Sequence, residues 1–327
     1  QVATIAPVNH PQHRQKRPMK VLIRSLPLFL LFIPIAISIA QDAPTATPRP
    51  EPVRPLSVRT QSADGITVDR LFTSLNQGQV GLVHLRGDDI VQARAYLRDR
   101  EYPFVRASDG WYALVVADID AQPRDYQLSV IALKQDEQTV SFTDVVTVNG
   151  SGFIRQLFEV PNTIAYLTDP AVEREEFARL DAITASVTED FYWQEGWQLP
   201  LDSEYTSGFG QYRVLNSTVQ TRHTGWDQRA VIGTPVSAMS AGTVVFAGEL
   251  AIRGQYVMID HGWGVYTGYA HFSQINVQVG QSVAKGQIIG ASGNTGRSNG
   301  PHLHWEIAVH GEWVDGDAFV NMWLPRE

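Results

Sequence analysis

Residues 302–309 read HLHWEIAV, and this pattern constrains the chain more than any other. In an extended strand, residues two apart share a face. His302 and His304 therefore project from one side while Leu303 and Trp305 face the other. Trp305, Ile307 and Val309 supply a core face that holds the strand rigid beneath the two imidazoles. Two further motifs precede it among Gly-rich runs. In HTGWD, His223 and Asp227 stand four apart. In YTGYAHF, the alternation of Thr267, Tyr269 and His271 lets His271 reach the same cleft from a neighbouring strand.

The chain contains no cysteine, so disulfide scaffolds, thiol nucleophiles, thiolate metal sites and a lipid-modified N-terminal Cys are excluded. Any metal must be held by nitrogen and oxygen. Imidazole and carboxylate suit a borderline divalent ion, and three protein ligands with one open position are what catalytic zinc requires. A His four residues before an Asp, or a His-x-His pair, is weak alone. Three such motifs in this order among glycine turns form a constellation.

At 327 residues the chain has length for about two domains at ~150 residues each. Hydrophobic residues make up 43% and charged residues 18%, which excludes wholesale disorder. Arg14, Lys16, Arg17, Lys20 and Arg24 fall in the first 40 residues, where there is no acid. The remainder holds 21 basic against 34 acidic residues. Phosphate neutralisation needs clustered Lys and Arg, so no nucleic-acid partner is expected.

The organisation is expected to be mainly β. Residues 1–40 read as an upstream segment and signal peptide. Met19 is a possible start, and an apolar run from Leu26 to Ala36 precedes the small residues Ser38 and Ala40. That run is short and broken by Pro27 and Pro34, so no stable membrane span is expected after cleavage. The protein is then secreted, or held in the cell envelope. Residues 41–55 are a Pro-rich tether. Residues 56–150 give short β-rich runs between turn signals, expected as a β-sandwich-like module. Its His84 reads as a packed or surface histidine. Residues 151–198 are expected as a helical connector, with Asp169 capping and Pro170 at the first helical position. Phe177, Leu180, Ile183 or Thr184, Val187 and Phe191 form its stripe. Glu173, Glu175 and Glu176 read as its solvated face. Residues 199–327 form a C-terminal antiparallel β domain. Lys285 in GQSVAKGQIIG reads as a turn residue of a structural hairpin, and His261 and His310 as structural or exposed. The glycines of GNTGRSNG lack the following Gly-Lys-Ser/Thr of a phosphate loop.

Around the His/Asp constellation the chain resembles the lysostaphin/LytM-type zinc metallopeptidases, the peptidoglycan endopeptidases of bacterial cell walls. The resemblance rests on FGQYRVLN ahead of HTGWD, then GTPVSAMSAGTVVFAG, GWGVYTGYAHF, GQSVAKGQIIGASGNTGRSNGPHLHWEI and GEWVDGDAF. It covers about residues 205–320. The upstream β-module resembles N-terminal regions of some secreted relatives. The resemblance implies one zinc ion held by His223, Asp227 and His304, with His271 and His302 as the two non-ligand catalytic histidines. It also implies a peptidoglycan substrate, with Asn216 and Arg213 lining the groove. The β-module is a candidate intramolecular lid. Gln211-Tyr212-Arg213 and Gly316 depart from the common family pattern without touching a ligand. A catalytically silent wall-binding protein or amidase regulator is the competing reading, and a general extracellular metalloprotease is the second.

Overall fold

The computed structural model describes residues 50–327. The expected signal segment and residues 41–49 of the tether lie outside the described residues. The fold is mainly β.

The first module is a sandwich of two five-stranded sheets. One runs in the order 59–63, 66–70, 79–86, 110–117, 105–107. The other runs 75–76, 139–149, 124–134, 90–97, 100–103. Their inner faces pack Val83, Val115, Val130 and Val146 into an apolar core. The Thr139–Asn149 strand alternates between buried and exposed residues, as a half-solvated strand should. The Gly110–Ala117 strand is instead buried along most of its length. Its outer face meets the C-terminal domain, where Tyr112 stacks at 6.4 Å on Trp263. His84 is packed: its ring lies 4.3 Å from that of Tyr112, and Nε2 is 3.1 Å from Asp109 O. The two halves share one apolar cluster, reinforced where Asp315 N donates to Gly78 O and Ser108 N to Glu327 O.

Helix α1 (Pro170–Thr184) starts as expected, with the Asp169 carboxylate accepting from Ala171 N. It stops at Thr184, so Val187 and Phe191 lie beyond it. Phe191 instead joins Trp193 and Trp263 in an aromatic cluster. Residues 155–158 of the expected helical connector form a strand, paired in parallel with Tyr212–Leu215, and Asn162–Thr168 are 3-10 helical. Of the acidic run, Glu175 is exposed as expected, but its neighbours are not the solvated face. Glu176 is buried against Arg253, and Glu173 accepts from the Thr221 hydroxyl.

The C-terminal domain is built on an eight-stranded sheet. Its central strand, His302–Val309, lies between Gly225–Arg229 and Val265–Phe272. One face packs Leu303, Trp305, Ile307 and Val309, each fully buried, into the main core. The opposite face carries His302, His304 and Glu306. Ala308 on that face joins Leu180 of helix α1, Tyr256, Tyr266 and Ala270 in a second apolar cluster. One side of a single sheet therefore holds the histidines at one end and the helix at the other.

Candidate metal centre

Strand register brings the first three residues together. Asp227 stands directly opposite His304 on the neighbouring strand, and His223 enters from the loop just before. The strands close tightly because residue 225 is glycine: a Cβ there would sit 2.1 Å from Trp305 O. His223 Nε2 lies 3.0 Å from Asp227 Oδ1 and 3.0 Å from His304 Nδ1, and His304 Nδ1 lies 2.9 Å from Asp227 Oδ1. All three residues are buried.

The surrounding bonds fix the tautomers. His223 Nδ1 donates to Gly208 O at 2.6 Å, and His304 Nε2 to Glu306 Oε2 at 3.2 Å. With those N–H groups engaged, the lone pairs of His223 Nε2 and His304 Nδ1 converge with Asp227 Oδ1. Facing electron pairs without a hydrogen among them repel, and a divalent cation relieves this. The donor set of two imidazoles and a carboxylate fits zinc.

Expectation and structure part at His271. Tyr269 pairs with Trp305, so the regular alternation of Thr267 and Tyr269 leads to the core face, away from His304. A bulge between Tyr269 and Phe272, opposite Gln255–Val257, and a left-handed His271 (φ 61°) redirect the ring. It lies 4.7 Å from the His302 ring and 6.1 Å from that of His304. His302 Nε2 lies 3.6 Å from Asp227 Oδ1. The glycine loop rejected as a phosphate binder serves both rings: Thr295 O accepts from His271 Nδ1 at 2.7 Å, and Gly300 O from His302 Nδ1 at 2.8 Å. Both Nε2 atoms keep an open lone pair.

Electrostatics sort the histidines. Burial, then the Arg213 charge, pushes His223 down to about 4. Burial, then the neighbouring rings of His302 and His304, lowers His271 well below the usual imidazole range. Burial likewise lowers His302. These three are neutral at pH 7. Burial also opposes charge on His304, but hydrogen bonds to Asp227 and Glu306 outweigh it and raise that ring. Of the four rings it is the one at which a proton competes most with a cation. Burial pushes the Asp227 carboxyl up, yet His223 and Arg213 hold it well below its ordinary value.

Neither expected groove residue stands free. The Arg213 guanidinium donates to Asp227 Oδ2 and Ser207 Oγ, so it clamps a candidate ligand. Asn216 sits in the turn after that strand, and its Oδ1 accepts from Val160 N. Lys285 donates to Glu195 O at its hairpin, and His261 is fully buried between Ala241 O and Thr267 Oγ1. A large groove lined by Trp193, Trp197, Lys285 and Trp323 includes none of the four site histidines.

The sequence reading missed Glu306. The alternation that places His302 and His304 on one face extends to it, which was a usable signal. Burial pushes its carboxyl up, but Arg253 overrides this and holds it well below the usual range.

Known proteins carry the same elements. The description of peptidase family M23 matches residues 221–316. The chain is 40% identical over 151 residues to the peptidoglycan DD-endopeptidase ShyA of Vibrio cholerae serotype O1, covering 42% of this chain and 35% of ShyA. It is 46% identical over 103 residues to the DD-carboxypeptidase/endopeptidase Mpg of Neisseria meningitidis serogroup B, covering 32% of this chain and 23% of Mpg. The match spans about a third or less of the length of these curated relatives. A solved Pseudomonas aeruginosa protein of the peptidase M23 type superposes with a TM-score of 0.57 at 24% identity. That superposition covers 76% of this chain and 95% of the other, so the two share a fold across both halves. The C-terminal part of the chain is a peptidase family M23 domain of the LytM/lysostaphin type.

Proposed function

We propose that the protein is a zinc metalloendopeptidase that hydrolyses peptide bonds in peptidoglycan stem peptides or cross-links, acting in the cell envelope after secretion. One observation carries the reading. All four site histidines have their outer N–H engaged, three ligand lone pairs converge on one point, and two further imidazoles stand beside it.

His223 Nε2, Asp227 Oδ1 and His304 Nδ1 would hold the ion. A bound zinc polarises the scissile carbonyl and lowers the pKa of its water to about 7. His271 and His302, neutral at pH 7, each present an unprotonated Nε2. Either accepts a proton from the attacking water at Nε2, and the imidazolium so formed hydrogen-bonds the developing oxyanion or gives that same proton to the leaving amine. The backbone carbonyls of Thr295 and Gly300 hold both rings in the accepting tautomer throughout. Arg213 neutralises the outer oxygen of Asp227 and keeps its inner oxygen turned toward the site.

The substrate class rests on the relatives, whose names specify peptidoglycan DD-endopeptidase and DD-carboxypeptidase/endopeptidase activity. The full chain incubated with isolated sacculi and zinc should release muropeptides with new amine ends, read by mass spectrometry, and a chelator should abolish them. No new ends with zinc present would refute the proposal.

A further inference from the structure

Behind His304 runs a buried line of charges that leaves the strand carrying it. Glu306 accepts from five donors. Arg253 Nε, at 2.6 Å, and the Tyr256 hydroxyl, at 2.8 Å, reach Oε1. The Thr224 hydroxyl, at 2.6 Å, Arg253 Nη2, at 2.9 Å, and His304 Nε2, at 3.2 Å, reach Oε2. Tyr256 has room because residue 268 is glycine, where a Cβ would sit 1.9 Å from its hydroxyl. Arg253 turns its remaining edge to helix α1, donating from Nη1 to Glu176 Oε1 at 2.8 Å. Glu176 is itself fixed by the backbone N–H groups of Ile252 and Arg253. The same helix covers one face of the guanidinium with the Phe177 ring, 5.1 Å away. Glu176, Arg253 and Glu306 are 4%, 5% and 0% exposed.

We propose that Glu176 is a positioning residue for the metal centre: through Arg253 and Glu306 it fixes the ring of His304. The helix that bears it lies outside the matched family segment, which begins at residue 221. Burying these charges is costly, and an ion pair kept only for stability is readily replaced by apolar residues. Here the line ends on the N–H of a candidate ligand, and every position along it is saturated by directional bonds. Without the Glu176 carboxylate, one edge of a buried guanidinium loses its anion. Arg253 then loses its anchor to helix α1, the Glu306 carboxylate it holds is no longer fixed in place, and the His304 ring is free to rock. Partners in this outer layer set ligand orientation and change metal affinity about 10–100-fold when removed.

The inference rests on the metal-site reading above, and the experiment separates the two. Zinc affinity of the full chain is measured by competition with a chromophoric chelator, alongside the melting temperature of the metal-free protein. Glu176→Gln is expected to weaken zinc about tenfold, the low end for such partners because it acts at one remove. In the Glu176→Gln, Glu306→Gln double variant, the loss should not exceed that of Glu306→Gln alone, because both break the same line. Zinc binding by Glu176→Gln equal to wild type, even with a lowered metal-free melting temperature, overturns the proposal and leaves Glu176 structural. Independent, multiplying losses overturn it too. Should Glu176→Gln not fold, Glu176→Asp keeps the charge at shorter reach. It is expected to weaken zinc severalfold, and wild-type affinity there overturns the proposal equally. Failure of the wild-type chain to take up zinc removes the metal site itself, and the proposal with it.

Discussion

The two halves of the molecule use the same material and bury different things. Both are largely antiparallel sheets of apolar and β-branched residues, and their cores merge into one cluster. In the first module the buried polar residues are Asp69 and His84, and both are compensated. Asp69 accepts from Arg86 and Thr60, while His84 lies against Tyr112 and Asp109 O. Within the C-terminal sheet, His223, Asp227, His271 and His304 are buried with lone pairs directed at one another or at an open cleft. Burying polarity without a partner is expensive. A fold that accepts the cost in one half and avoids it in the other marks where its chemistry lies.

The contrast is broken most severely by His304→Ala. Removing one of three converging ligands should abolish both zinc content and sacculus hydrolysis, the first read by elemental analysis of the purified protein. His271→Ala should retain stoichiometric zinc and lose turnover by about 10²–10⁴-fold, the usual worth of a general acid–base group. Metal loss in His271→Ala with retention in His304→Ala would invert the two assignments.

How much of this was legible beforehand differs residue by residue. The His302/His304 pair followed from period-two alternation, since nothing in that strand interrupts it. The same rule failed at His271, where a bulge and a left-handed backbone turn the ring around. Such a bulge leaves no mark in YTGYAHF beyond the glycine. Helix α1 was legible from its Asp-Pro start. Its Glu176 was misread as solvated because its partner, Arg253, lies 77 residues away in a turn without periodicity. Short-range patterns report which face a side chain takes, whereas long-range charge pairing depends on packing between elements and stays invisible until the fold is known.

Stability should divide along the opposite line. Leu128→Ala, between the two sheets of the first module, is expected to cost about 2–5 kcal/mol in chemical denaturation while zinc affinity stays at the wild-type value. A matching fall in zinc affinity would show that the first module shapes the metal site, and the division drawn above would fail.

His261 sharpens the comparison from inside the C-terminal sheet, because it is buried there yet compensated like the polar residues of the first module. Its ring touches Ala241 O at 2.7 Å and Thr267 Oγ1 at 2.7 Å, and burial pushes its pKa down to about 4. An unfolded histidine titrates near 6.5, so as pH falls the unfolded chain takes the proton first. The resulting stabilisation is complete above about pH 6.5, is lost as pH falls toward about 4, and is flat below that. Over the window it amounts to roughly 3 kcal/mol at most. The melting temperature of His261→Gln should therefore depend less on pH than that of wild type between these limits. Parallel curves would mean that this ring gains its proton without unfolding. Burial in the C-terminal sheet alone would then not separate structural histidines from those at the metal centre.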